Sequence, residues 1–292
     1  MARSPAAKTA SGPMVLAAVE QYEDPEHRLV HDDLARAFLP AGLRPLVATT
    51  RLSIVRRAMI GATERAGPGL WANLACRKRY IDEKLDESLA DIDAVVVLGA
   101  GLDTRAYRLA RRSDIPVFEV DLPVNIERKK AIVRRALGGP PPSVRLVPVD
   151  FERDDLAAEL AKHGHRASAR TFFVWEGVTQ YLTEDAVRAT FSYLQSAAAG
   201  SRLVFTYVQR DFIDGQNLYG AKSAYRRFRE REQIWQFGLS PDEVADFVAA
   251  YGWRLVERAG PEYFLQHYIE PAGRDLSASD LEWSAYVEKA YP

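Results

Sequence analysis

The chain is short of cysteine, of net charge and of long apolar runs. Cys76 is the only cysteine among 292 residues, which excludes an internal disulfide and a zinc site built on several thiolates. The formal net charge is −1, so no basic field points to nucleic acid or to an anionic membrane. No apolar run approaches the roughly 20 residues that a membrane helix needs. The opening stretch, MARSPAAKTASGP, has no apolar core of the kind a secretory signal carries, and residues 1–13 read as a disordered tail. These absences describe a cytoplasmic protein acting on a small molecule, without a metal, a nucleic acid or a membrane as partner. They are silent on oligomeric state.

What is present changes style along the chain. Residues 14–92 carry helical patterning, as in TTRLSIVRRAMIGATERA and PGLWANLACRKRYIDEKLDESLA. From residue 93 short apolar runs take over: AVVVLG, VFEVD, RLVPVD, TFFVWEG and RLVFTYV, with helical stretches between most of them. That alternation implies right-handed βαβ units and a mostly parallel sheet with helices on both faces. Residues 211–237 are charged and aromatic and break the rhythm, which predicts a helical insertion. SPDEVADFVAAYG has a serine cap signal and a glycine stop, the marks of a helix. WRLVER and YFLQHYI are expected to close a seven-stranded sheet as its last two strands. The whole of 14–292 reads as one domain, with 14–92 as a helical cap on a sheet core.

The stretch VVVLGAGLDTRAYRL, residues 95–109, poses the functional question. Gly99 and Gly101 end a strand and open a turn, where glycines let a backbone come close to a ligand. In a doubly wound sheet, ligands sit at the carboxyl ends of the strands near the switch point. Asp121 ends the second strand about 20 residues on, where a carboxylate accepts ribose hydroxyls. Asp150 ends the third strand and Glu176 the fourth. An acidic residue at one strand end is commonplace, because Asp and Glu often begin loops. Three in chain order after a glycine loop point to a nucleoside ligand.

NAD and S-adenosyl-L-methionine (SAM) share that nucleoside, so Asp121 does not separate them. A dinucleotide fingerprint wants a third glycine at position 104, and Thr104 stands there. Asp103 adds a negative charge, which suits a sulfonium with an ammonium group better than a diphosphate. The residues favour SAM and leave NAD open.

VVVLGAGLDTRAYRL, FEVDLPVNIERKKAIV and VWEGVTQYLTEDAVRATFSYL resemble the leucine carboxyl methyltransferase family. They are most similar to its bacterial branch of SAM-dependent O-methyltransferases, which includes enzymes methylating polyketide carboxyl groups in secondary metabolism. The resemblance runs from about residue 15 to the end, and its GAGxDT core is the specific part. It implies a Rossmann-like class I methyltransferase fold with a helical cap. It also implies that Arg77, with Arg79 as second choice, pairs with the SAM carboxylate. By the same resemblance Asp121 holds the ribose, Asp150 and Phe151 flank the adenine, and Glu176 lies near the methionine moiety. The substrate does not carry over.

Methyl transfer from a sulfonium mainly requires acceptor, methyl and sulfur to be held in line and water excluded. A carboxylate acceptor is already ionised near neutrality, whereas a hydroxyl wants a base. None of the five histidines sits beside the strand-four motif. His267, expected on the last strand, is the one candidate base, and Tyr181 is similar to a family tyrosine near the site. The weak supply of bases leans toward carboxylate methylation, with a phenolic or alcoholic hydroxyl as the alternative. An NAD-dependent oxidoreductase and a SAM-binding protein without catalysis are the distant readings. Tyr22, Phe38, Tyr207, Tyr219 and Tyr225 are candidate pocket aromatics, each with core packing as the simpler role.

Overall fold

The computed structural model describes residues 11–290. Seven strands form one sheet: β1 (Ala94–Leu98), β2 (Val117–Asp121), β3 (Val144–Pro148), β4 (Thr171–Trp175), β5 (Arg202–Val208), β6 (Trp253–Ala259) and β7 (Glu282–Lys289). Their spatial order is β3-β2-β1-β4-β5-β7-β6. Strands β1 to β5 pair in parallel, while β7 runs antiparallel between β5 and β6. The order reverses between β1 and β4, so a crevice opens at the carboxyl ends of those strands.

The strands form because their β-branched and aromatic residues are covered on both faces. In β1, Val95 and Val97 join one apolar cluster, while Ala94, Val96 and Leu98 join another. The first face is covered by α1 (Ser11–Glu20), α3 (Leu70–Ser88), α4 (Arg105–Leu109) and α5 (Pro123–Leu137). Helix α2 (Ser53–Ala66) packs on α3. The second face is covered by α6 (Leu156–Lys162), α7 (Glu184–Leu194) and α8 (Val244–Ala249). Local chemistry sets the helix ends. Pro123 starts α5 and Gly138, at φ +83°, stops it. Thr183 caps α7 by accepting from Ala186 N, and Ser240 and Glu243 form a reciprocal capping box ahead of α8.

Two expectations are corrected. YFLQHYI is not a strand: Pro261–Phe264 and Leu265–Ile269 are helical turns. Phe264, Tyr268 and Ile269 are its buried residues, a helical spacing that wins over the local β propensity. The last strand is instead β7, whose Ala285 and Val287 bury against the sheet while serine and glutamate dilute its pattern. At the other end, helix α1 begins at Ser11, so residues 11–13 are ordered in a helix rather than part of a tail. Met14, Leu16, Ala17, Ala18 and Val19 bury and carry that helix. The rest of the expected tail, residues 1–10, lies outside the described residues. Among the described residues no helix is long and apolar enough to cross a membrane.

The 211–237 stretch forms short helical pieces, Arg210–Ile213 and Lys222–Tyr225 followed by a wider turn. It makes an apolar cluster of its own with Val208 and Leu281.

Candidate functional site

A cavity of about 620 Å³ occupies the crevice at the carboxyl ends of the central strands. That size lies in the range of small-molecule sites, roughly 300–1,000 Å³. It is lined by the β1–α4 loop, the ends of β2 and β4, one face of α3 and part of the 211–237 insertion. On α3 the lining residues Leu70, Asn73, Leu74 and Arg77 recur at helical spacing, so one stripe of the helix faces the cavity.

The glycine loop is held from below. Lys129, buried on α5, donates to Ala100 O (3.1 Å) and to Glu119 Oε1 (2.5 Å), and Tyr107 donates to Glu119 Oε2 (2.7 Å). Burial raises the Glu119 carboxyl to about 6 against the opposing pull of Lys129 and Tyr107. Gly99 and Gly101 have φ +73° and +43°. A Cβ at Gly99 would lie 2.3 Å from Val178 Cγ2, so the space freed there is filled by the loop after β4 rather than kept for a ligand.

Asp121 lines the cavity at the end of β2, and its carboxylate also organises the loop. It accepts from Gly101 N (2.6 Å), Leu122 N (2.7 Å) and Asn125 Nδ2 (2.7 Å). Asp150 and Phe151 line the next stretch, and Phe151 packs against Trp175 with ring centroids 6.5 Å apart.

The other end carries a buried ionic network. Glu176 accepts from Arg77 Nε (3.0 Å) and Arg105 Nη1 (2.5 Å), with Lys78 Nζ at 3.8 Å. Arg77 also pairs with Glu282, and Arg105 with Asp103 and Asp82. Burial alone would raise the Glu176 carboxyl; Arg105, Lys78 and Arg77 reverse this and hold it well below the usual carboxylate range. Asp103 is lowered in the same way, with Arg105 and Lys78 overcoming its burial. Arg77 Nη2 has no hydrogen-bond partner among the described residues. It faces Gly177, where a Cβ would stand 3.0 Å from it. Glu282 Oε1, also buried, has none either.

This geometry tests the nucleotide question directly. Asp103 accepts from Arg105 N (2.6 Å), so the first turn of α4 is already met by a carboxylate. Thr104 is fully buried and donates to Asp32 Oδ2 (2.8 Å), tying the position of the missing glycine to the N-terminal segment. A negative charge therefore already stands where a diphosphate would meet this helix N-terminus. Six carboxylates line the cavity (Asp103, Asp121, Asp150, Glu152, Glu176 and Glu282) against two cations, Arg77 and Lys78. That balance fits a ligand carrying a sulfonium and an ammonium.

All eight cofactor-site candidates, Arg77, Gly99, Gly101, Asp103, Asp121, Asp150, Phe151 and Glu176, line this one cavity, and so does Tyr181. Arg79 does not; it pairs with Glu83 and lies over the Tyr268 ring. His267 is corrected: it sits on a helical turn, exposed, stacked on Tyr263 at 4.0 Å, and does not line the cavity. None of the other histidines lines it. Tyr22, Phe38, Tyr207, Tyr219 and Tyr225 are likewise absent from its wall and pack elsewhere. Reading the sequence missed Asn73, Lys78, Arg105, Gln180, Trp235 and Glu282. For Arg105 a signal was present, since it follows the glycine loop beside Asp103; for Asn73 and Lys78 it was the helical spacing to Arg77.

Strand order and site together define a class I methyltransferase with SAM as its cofactor. The leucine carboxyl methyltransferase model matches residues 10–195, and the chain belongs to that family. A "Putative S-adenosyl-L-methionine-dependent methyltransferase" of Mycobacterium marinum (strain ATCC BAA-535 / M) is 33% identical, over 95% of this chain and 94% of its own length. A protein of the same description from Mycobacterium avium (strain 104) is 30% identical, over 83% and 85%. Among solved structures, a "putative methyltransferase" from Thermobifida fusca YX shares the fold with a TM-score of 0.57 at 18% identity, over 81% of this chain and 89% of that one.

Proposed function

We propose that this methyltransferase transfers the methyl group to an oxygen of a small, largely apolar acid of secondary metabolism, giving a methyl ester. The observation that carries this reading is the composition of the cavity wall. Beyond the ionic end much of the wall is apolar, with Leu70, Leu74, Val178, Leu182, Val208 and Phe228, and no histidine reaches it. A carboxylate acceptor is ionised without a base, so a wall of this kind suffices for it.

In this reading SAM, when bound, supplies an electrophilic methyl on a positively charged sulfur. Arg77 holds the methionine carboxylate through its Nη2 edge, and Glu176 keeps that guanidinium fixed. Asp121 accepts the ribose hydroxyls, while Asp150 and Phe151 enclose the adenine. Gly99, Gly101 and Asp103 shape the floor, and Tyr181 borders the acceptor. The chain's share of catalysis is to bring the acceptor into line and to exclude water. The small-molecule substrate is the only partner this requires, and a cytoplasmic setting supplies the cofactor.

A hydroxyl acceptor is the second reading. The observation in its favour is that both lining cations, Arg77 and Lys78, lie against Glu176 rather than standing free for an acceptor carboxylate. One experiment separates them: incubation with methyl-labelled SAM and paired acids and phenols, then mild alkali. Label released as methanol supports the ester. Label that survives in the product supports an ether and overturns the lead reading.

A further inference from the structure

Four polar side chains on the cavity wall are more than nine-tenths buried and unpartnered at one atom: Asn73 Oδ1, Gln180 Oε1, Trp235 Nε1 and Glu282 Oε1, the last on the carboxylate that pairs with Arg77. Asn73 stands one helical turn before Arg77 and belongs with the ionic end. Gln180 and Trp235 belong together, because Gln236 N donates to Gln180 O at 2.6 Å. That bond stitches the loop after β4 to the insertion directly beside Trp235. An unmet donor and an unmet acceptor therefore sit on two segments locked side by side. Leaving such groups unpaired is unfavourable, and a bound partner would recover that loss.

The surroundings of this pair are aromatic. Trp235 stacks on Phe228 with centroids 4.8 Å apart at 22°, and Tyr181 meets it edge-on at 6.2 Å and 85°. An indole N–H can only donate, and a glutamine amide presents an acceptor or a donor according to its rotation. A hydroxyl both accepts and donates, so it is the one small group able to meet either of them. Flat ring walls favour a flat ligand by offset or edge contacts. Resting on the reading of this cavity as the SAM and acceptor site, we infer that the acceptor is a hydroxylated aromatic acid. Trp235 and Gln180 form the subsite that reads its ring hydroxyl.

A site built around a substrate hydroxyl discriminates strongly against the analogue that lacks it, because the protein groups are then left unpaired. The test uses the full chain saturated with S-adenosylhomocysteine, titrated calorimetrically with 2-naphthoate, its 3-, 6- and 7-hydroxy derivatives and decanoate. At least one hydroxynaphthoate should bind tenfold or more tightly than 2-naphthoate, and 2-naphthoate more tightly than decanoate. Trp235→Phe keeps the ring wall and removes only the N–H. It should abolish the preference for the hydroxyl and leave S-adenosylhomocysteine affinity within twofold. Gln180→Leu should do the same from the other side. If S-adenosylhomocysteine binds and no hydroxynaphthoate is preferred, or Trp235→Phe retains the preference, the subsite is refuted while the cofactor reading stands. If S-adenosylhomocysteine itself does not bind, both fall.

Discussion

Arg77 is the residue whose surroundings say most about its work. Its fork is shared between Glu176 and Glu282, and one nitrogen remains beside Gly177. Alanine there would leave Glu282 buried without its cation, a change of the kind that costs about 3–5 kcal/mol. Lysine is the cleaner probe: it keeps one charge and loses the fork. Arg77→Lys should raise the Michaelis constant for SAM at least tenfold and leave turnover within about threefold, because the contact exists before and during transfer. Steady-state kinetics with SAM as the varied substrate reads this out, and a fall in turnover at unchanged Michaelis constant would count against the role. His267 shows the opposite lesson. An imidazole is chemically a fine base, but on its exposed turn it has no acceptor to serve. Residue type suggested it, and only position could dismiss it.

At the scale of elements, the β1–α4 loop depends on the loop after β4. Gly99→Ala meets two obstacles: a positive φ, worth about 1–2 kcal/mol for a side-chain-bearing residue, and a Cβ pressed onto Val178, worth about 1–3 kcal/mol as overpacking. Val178→Ala in the same chain should relieve the second part only. Denaturant unfolding of the two single variants and the double should therefore show a favourable coupling of about 1 kcal/mol or more. Strict additivity would mean the two loops do not touch as described. The parts of the site that could be read beforehand are those with short-range spacing: Gly99, Gly101 and Asp121 lie within one βαβ unit. Trp235, Gln180 and Glu282 were hidden because their meaning is tertiary. Glu282 becomes a partner of Arg77 only because β7 inserts beside β5, across more than two hundred residues of chain. The same insertion explains why the final strand escaped notice, for its pattern is weak and its neighbours supply the pairing.

The whole molecule couples the site to pH through carboxylates of opposite behaviour. Glu176 and Asp103 are lowered by the cations around them. Their contribution is present above the unfolded carboxylate range and is lost as pH falls through and below about 4. Glu119 runs the other way: raised from 4.5 to about 6 by burial, it contributes most below 4.5 and loses that contribution as pH rises through 6. The difference corresponds to about 2 kcal/mol, or a few degrees in melting temperature. Melting curves from pH 7 to 3 should therefore hold or rise slightly between pH 6.5 and 5, then drop steeply below 4. Glu119→Gln should lose the shallow rise and keep the acid drop; a steady decline beginning at pH 6 in the native chain would contradict the assignment.

The central claim is that the cavity at the carboxyl ends of β1, β2 and β4 holds the cofactor. Calorimetric titration of SAM and of NAD into the native chain and into Asp121→Asn tests it most directly. Asparagine keeps the volume but sets an amide N–H₂ against the donor on one side of the carboxylate, Gly101 N on one oxygen or Leu122 N on the other, and weakens the ribose contact. SAM should bind the native chain and NAD should not. Asp121→Asn, folded by circular dichroism, should bind SAM at least tenfold more weakly, a loss of about 1.4 kcal/mol or more. Unchanged SAM affinity in the folded variant, or NAD binding in place of SAM, would contradict the account.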